Sequence, residues 1–195
     1  MKKGRLEAFS DGVFAIIITI MVLEIKVPHG NRLDDLFPLL PIFLSYILSF
    51  IYLGIYWNNH HHLLHTIKEV SGDILWANLH LLFWLSLVPF VTGWMGENHF
   101  EKIPVALYGV ILVLCAIAYT ILQGRITKSL GPKSTLVKSL GKDWKGKGSI
   151  LIYLIGIFSV NINARISLSL YLLVAIIWLV PDKRIEKSLK MEESE

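Results

Sequence analysis

Cysteine is almost absent from this sequence, with Cys115 the single one among 195 residues. A lone cysteine cannot form a disulfide within the chain, and it excludes the paired-cysteine spacings that hold structural metals. Because Cys115 lies in an apolar stretch, we interpret it as a small packed hydrophobe.

Signatures of catalysis are missing as well. The chain contains neither the Gly-x-Ser-x-Gly turn of serine hydrolases nor a Walker phosphate-binding loop. Ser45, Ser49 and Ser86 lie in apolar helical stretches, where a hydroxyl by default bonds a carbonyl of its own helix. The sequence therefore predicts that the protein is not an enzyme.

A nucleic-acid partner is also excluded. The sequence pI is 9.1, but the basic residues cluster in loops that flank apolar segments, and no nucleic-acid-binding signature accompanies them. Membrane topology accounts for the positive charge.

Apolar residues are present in excess, at 54% of the chain with a mean hydropathy of +0.57. This exceeds what soluble domains of similar length contain. We therefore predict an all-α integral membrane protein in the lipid bilayer, with six transmembrane helices of about 20 residues each. The predicted spans are residues 5–27, 38–66, 72–95, 103–124, 148–162 and 165–181, of which the fifth is short.

Basic residues are distributed unevenly between the loops. Six spans put both termini on one side of the membrane, and only Lys26, Arg32, Lys102 and Arg165 fall on the other side. Positive residues concentrate in cytoplasmic loops. We therefore predict cytoplasmic N and C termini in the cell inner membrane, one transmembrane domain over 1–181, and a cytoplasmic tail over 182–195.

The first predicted span carries polar residues at its entrance and an apolar stripe beyond them. At about 100° per residue, Ile16, Thr19, Ile20 and Leu23 share one helix face, and Asp11 lies roughly opposite. An ionised carboxylate in the membrane costs about 2.5 kcal/mol or more unless other helices shelter it. We expect this helix to lie among protein rather than lipid.

The entrance of this helix reads Arg-x-x-x-Phe-Ser-Asp, filled by Arg5, Phe9, Ser10 and Asp11. This pattern resembles the signature of the endolysosomal potassium channel family, transmembrane protein 175, in its prokaryotic six-helix branch. The resemblance implies a homotetramer with helix 1 lining a central pore, potassium as the permeant ion, and no cofactor. It also implies an interhelical network around the pore helix, built on the arginine, serine and aspartate of the signature.

The selectivity motif of ordinary potassium channels, Thr-Val-Gly-Tyr-Gly, is absent. The resemblance implies instead a hydrophobic constriction on helix 1, formed by Ile16, Thr19 and Leu23, with Ile20 as a further candidate. We expect such a channel to prefer potassium over sodium.

Polar side chains on the second and third spans lie at a depth similar to that of Asp11. At 1.5 Å per residue, Asp11, His60 or His61, and His80 are about 10 Å inside the same membrane boundary. Imidazole and indole N–H groups could satisfy the carboxylate. We therefore expect an interhelical network. Its predicted members are Arg5, Phe9, Ser10, Asp11, Trp57, His60, His61, Asn78 and His80.

Other roles for the histidines remain open. His61 and His65 share a helix face and could ligate a metal, but no His-Glu-x-x-His motif or cysteine pair supports this, so we predict no metal site. A haem between facing histidines has no further support. The alternative function is a secondary ion or proton-coupled transporter that uses an Asp/His network, although charged residues at midspan are lacking.

Overall fold

The computed structural model describes residues 3–67, 69–131, 134, 137 and 143–179. Within these residues the chain forms seven α-helices, and 3-10 turns at Met21–Glu24 and Leu33–Leu39 extend two of them. The helices are α1 Lys3–Ile20, α2 Leu40–His65, α3 Gly72–Ser86, α4 Val88–Glu97, α5 Lys102–Leu130, α6 Trp144–Ser159 and α7 Ala164–Leu179.

The helices confirm the all-α fold with six spans, because α3 and α4 together form the third one. Among the described residues, four spans are long and apolar enough to cross a membrane: Lys3–Glu24, Leu33–His65, Gly72–Glu97 and Lys102–Leu130. The helix α7 is apolar but shorter, and α6 has 16 residues. The end of the sixth predicted span at residue 181 and the predicted tail lie outside the described residues.

The third span is interrupted at Leu87, where α3 ends and α4 begins. Pro89 occupies the first turn of α4, and a proline lacks the N–H that would continue the helical ladder. The backbone stays near helical at Leu87, with φ −88° and ψ −9°. The interruption is therefore one residue long, and both halves continue across the membrane.

The helix α5 packs against α3, α4, α6 and α7, whereas α1 packs against α2, α3 and α4. Glycines allow the closest approach on the α5 side. A Cβ at Gly109 or Gly156 would collide with the ring of Tyr171, so both positions need glycine for α5, α6 and α7 to meet. The helix α1 therefore lies at one edge of the chain.

Candidate functional site

The helix α1 has one packed face and one open face. Its buried side chains recur every three or four residues, the period of one helix face; they are Leu6, Ser10, Phe14 and Ile17, continued by Met21 in the 3-10 turn. The opposite face remains uncovered by the chain itself. Phe9 is 52% exposed there, although this side chain is large and apolar.

The four predicted constriction residues all lie on the open face. Ile16 is 58% exposed, Ile20 is 43% exposed and Leu23 is 75% exposed, and Thr19 is exposed between them. Leu23 belongs to the 3-10 turn that follows α1. The four side chains therefore line one uncovered apolar stripe.

Thr19 supplies the one hydroxyl of this stripe. Its Oγ1 donates to the carbonyl oxygens of Ala15 and Ile16, at 2.9 Å and 3.0 Å. Because the proton points into the helix, the oxygen lone pairs remain available on the outer side. The hydroxyl can therefore offer an acceptor to a cation or to a water molecule.

A buried chain of hydrogen bonds fixes the packed face of α1. The Asn78 Nδ2 of α3 donates to Ser10 Oγ at 3.0 Å, and Asn78 Oδ1 lies 2.6 Å from His60 Nε2 of α2. Since a carbonyl oxygen can only accept, His60 must carry its proton on Nε2. The ring of Phe14 lies against His60 with centroids 5.5 Å apart. Three helices are thereby joined at one point.

A second link joins α1 to α2 at the motif aspartate. Trp57 Nε1 donates to Asp11 Oδ1 at 3.0 Å. Both side chains are exposed in the single chain. The Asp11 carboxylate is thus bonded by an indole N–H of the second span, which is one of the donor types that the sequence predicted.

Within the described residues, no hydrogen bond joins the other predicted network members to these links. His80 Nε2 accepts a bond from Trp84 Nε1 on its own helix, at 2.9 Å, and His61 stacks with Trp57 and His65. Phe9 lies on the open face. Within the part of the chain that the structure describes, the Arg5 guanidinium has no hydrogen bond or ion pair.

A further polar cluster was not predicted from the sequence. Ser45 and Ser86 bond carbonyls of their own helices, as predicted. The prediction is wrong for Ser49, whose Oγ lies 2.6 Å from Thr92 Oγ1 and 2.9 Å from Tyr108 Oη. The signal was available in principle, because a serine, a threonine and a tyrosine fall at similar depth on α2, α4 and α5. These hydroxyls join the second, third and fourth spans.

The segment that follows α1 and includes Leu23 also contacts α4. Lys26 Nζ lies 2.6 Å from Glu97 Oε1, and the Glu24 side chain fills the space beside Gly93. The hydrogen bond to Glu97 raises the pKa of Lys26. The pair lies just beyond the stripe and, because it is exposed, it contributes little to stability.

Comparison with known proteins agrees with this architecture. A family model described as the endosomal/lysosomal potassium channel TMEM175 matches residues 5–89, which include the Arg-x-x-x-Phe-Ser-Asp pattern. A protein of Chryseobacterium sp. (strain P1-3) named a potassium channel is 60% identical over 190 residues, which cover 97% of this chain and 99% of that protein. A Gallus gallus protein named an endosomal/lysosomal proton channel, TMEM175, is 40% identical over 124 residues, covering 54% of this chain and 25% of that protein.

A solved structure is similar along nearly its whole length. The crystal structure of a lysosomal potassium-selective channel TMEM175 homologue from Chamaesiphon minutus superposes with a TM-score of 0.79 at 28% identity. The match covers 92% of this chain and 97% of that one. These proteins are membrane channels rather than enzymes. By sequence over 97% of its length and by fold over 92% of it, the chain belongs to the TMEM175 channel family.

Proposed function

We propose that this protein conducts potassium in preference to sodium, through a pore lined by α1 from several copies of the chain. The observation that carries the proposal is the uncovered apolar stripe of α1, on which Ile16, Thr19, Ile20 and Leu23 lie. The packed face of the same helix is fixed by the hydrogen bond from Asn78 of α3 to Ser10, and Asn78 in turn bonds His60 of α2. The names of the relatives in Chryseobacterium and Chamaesiphon support potassium as the ion.

The proposed constriction selects by the cost of dehydration. Rings of isoleucine and leucine side chains offer no replacement for an ion's water shell, so an ion passes only if it gives up water cheaply. Potassium holds its water less tightly than sodium does. A layer of Thr19 side chains would replace part of the ion's lost water shell, because the oxygen lone pairs of Thr19 face outward and can contact the ion. The combination favours potassium without a carbonyl filter.

The proposed assembly is a homotetramer. One α1 helix cannot enclose a pore, whereas four copies can place four apolar stripes around one axis. The chain crosses the membrane with both termini in the cytoplasm, in the cell inner membrane. Support for this orientation comes from the charge distribution, since basic residues crowd the loops on the side of the termini. Residues 1–181 would form the channel domain and 182–195 a cytoplasmic tail.

The predicted network would hold α1 in place while its open face meets the ion path. The bonds from Asn78 to Ser10 and from Trp57 to Asp11 attach α1 to α3 and α2 near its start. The pair of Lys26 and Glu97 attaches its other end to α4. Fixed near its start by these bonds, the helix keeps its stripe in one orientation.

A coupled transporter is the competing function, and the Gallus gallus relative is named a proton channel. Flux into liposomes separates the possibilities. We expect potassium to move down its gradient without a coupled ion and without saturation. Potassium flux that requires a proton gradient would instead indicate coupled transport, and proton flux alone would indicate a proton channel.

The decisive experiment replaces Ile16 by Asn. The amide adds a hydrogen-bonding group to the proposed constriction in every copy, so sodium is dehydrated at lower cost. We expect the sodium-to-potassium permeability ratio to rise severalfold, with assembly unchanged because the hydrogen bonds that join α1 to α3 and α2 are made by Ser10 and Asp11. Reversal potentials under bi-ionic conditions measure this ratio.

The control is Ile103→Asn, an isoleucine that is 72% exposed at the start of α5. This helix is outside the proposed pore, so the control should keep the wild-type ratio. If Ile16→Asn forms intact oligomers with an unchanged ratio, the selective constriction lies elsewhere, with Thr19 the next candidate.

A further inference from the structure

The Asp11 carboxylate has one oxygen that the chain itself does not use. Trp57 Nε1 donates to Oδ1 at 3.0 Å, and within the described residues no hydrogen bond reaches Oδ2. The side chain is exposed in the single chain. An ionised carboxylate inside a membrane is costly unless protein donors surround it. The face of α1 and α2 that carries Asp11 and Trp57 therefore lacks a donor.

His80 of α3 has the complementary group, a donor that the chain does not use. Trp84 Nε1 donates to His80 Nε2 at 2.9 Å. Because an indole nitrogen can only donate, Nε2 carries no proton, and the proton of the neutral ring is on Nδ1. Among the residues that the structure describes, no group accepts a bond from Nδ1. His80 is exposed, so this N–H lies on the outer surface of α3.

The unused acceptor and the unused donor lie at the same height in the membrane. The bond of 3.0 Å between Asn78 Nδ2 and Ser10 Oγ fixes the height of α3 relative to α1. Both helices run in the same direction, because the single span α2 separates them. Asp11 is one residue beyond Ser10, and His80 is two residues beyond Asn78. At 1.5 Å per residue, their heights therefore differ by about 1.5 Å.

The two groups belong to different faces of the chain. Asp11 is bonded to α2, whereas His80 is on the exposed face of α3 with Trp76 and Phe83, which are 75% and 55% exposed. A contact between two different faces is head-to-tail, and its repetition around one axis can close a ring. Copies related by an axis along the membrane normal also keep the matched heights. A ring of this kind is what a pore lined by α1 requires.

We propose that a second copy of the chain covers the face around Asp11, with His80 Nδ1 of that copy donating to Asp11 Oδ2. This contact rests on the proposed tetramer, and it specifies which surfaces of neighbouring copies meet. Two other exposed donors are at the wrong height. Arg5 is six residues before Asp11, about 9 Å nearer the membrane boundary, and His61 is one turn of α2 beyond Trp57, about 6 Å nearer the same boundary.

A double-mutant cycle tests the pair. Asp11→Asn leaves one acceptor, which Trp57 occupies, and His80→Phe removes the N–H but keeps a ring of similar size. We expect each single variant to raise the concentration for half-assembly about tenfold, in a dilution series of the full-length protein followed by mass photometry. The double variant should assemble no more weakly than either single variant. Losses that multiply to about 100-fold would show independent effects and overturn the proposal.

Trp84→Phe is the matched control, because it removes the local bond to His80 and leaves the Nδ1–H in place. It should assemble as the wild type does. An equal loss in Trp84→Phe and His80→Phe would assign the effect to the local bond and overturn the proposal. Wild-type assembly of a folded His80→Phe variant would overturn it as well.

Cross-linking identifies the partner even if His80→Phe fails to fold. A chain that carries both Asp11→Cys and His80→Cys should be joined between copies by a short bis-methanethiosulfonate reagent, giving dimers to tetramers on a denaturing gel. Arg5→Cys with His80→Cys is the control and should stay monomeric on the gel. Cross-links within one chain only, or equal yields in the control, would overturn the proposal.

The outcomes also separate this contact from the proposed function. A wild-type protein that remains monomeric in a bilayer would overturn the proposed pore together with this contact. Oligomers that conduct potassium but show neither coupling nor cross-links between Asp11 and His80 would overturn the contact alone. The oligomers that His80→Phe still forms should keep the wild-type permeability ratio, because the substitution does not change the stripe of α1.

Discussion

Replacing Asn78 by Leu tests whether the buried hydrogen bonds position α1. Leucine has a similar size and keeps the packing, but it offers no donor or acceptor. The substitution leaves His60 Nε2–H without its acceptor and Ser10 Oγ without its donor. Both groups are sealed from water, since Ser10 is 0% exposed and His60 is 1% exposed.

Two estimates of the cost differ, and burial decides between them. Interhelical hydrogen bonds in membrane proteins contribute about 0.6 kcal/mol each on average, which gives about 1 kcal/mol for two. An unsatisfied buried group costs about 1–3 kcal/mol, which gives about 2–6 kcal/mol for two. Because neither orphaned group can reach water, the second estimate applies. We expect Asn78→Leu to lower the free energy of unfolding by at least about 2 kcal/mol.

Denaturant titration in mixed micelles, followed by circular dichroism, measures this loss. Asn59→Leu is the matched control, because Asn59 is also buried but, within the described residues, its side chain bonds only the Ile55 carbonyl of its own helix. This variant should be nearly neutral. A triple variant that adds Ser10→Ala and His60→Phe removes both orphaned groups and should recover stability to within about 1 kcal/mol of wild type. A triple variant no more stable than Asn78→Leu would refute the reasoning and assign the loss to packing.

Two further predictions concern orientation and assembly. A cysteine introduced at Ser134 should resist membrane-impermeant thiol reagents in intact cells if the loop before α6 is cytoplasmic. Cys115 is buried, so the wild type gives a low background. Ready labelling at position 134 would show that the orientation is the opposite one. Asp11→Asn keeps an acceptor for Trp57 but removes the charge, so the oligomer should shift towards smaller species in mass photometry; an unchanged mass distribution would show that the charge does not favour assembly.

Long apolar runs made most of the fold predictable from the sequence. Each predicted span overlaps a helix, because about 20 apolar residues in a membrane have to satisfy their backbone bonds internally. The boundaries were less predictable. The helix α6 begins at Trp144 rather than near residue 148, because the Asp143 side chain caps it by accepting from the Gly146 N–H. Local capping extended the helix beyond its apolar run.

The polar contacts were predictable in depth but not in pairing. Depth alone predicted that His80 lies near Asp11. Instead His80 accepts a hydrogen bond from Trp84, four residues later on the same helix. This bond forms within one helix and does not depend on the orientation of a second one. Ser49 shows the opposite case, since its bond to Thr92 and Tyr108 replaces the expected local bond. Helix rotation decides such cases, and it depends on packing that a single sequence does not specify.

The exposed stripe of α1 does not by itself explain why copies of the chain would associate. Apolar side chains lose nothing when they face lipid, so Ile16 and Leu23 supply no hydrophobic drive towards assembly within a bilayer. Asp11 is different, because its carboxylate is exposed in the single chain and, within the described residues, accepts a hydrogen bond from Trp57 alone. An ionised carboxylate facing lipid costs about 2.5 kcal/mol or more, and a tetramer would carry this cost four times unless the carboxylates faced protein or a water-filled path. The charge at the start of α1 would therefore favour the proposed assembly, while the apolar stripe one to three turns further along would line the proposed constriction.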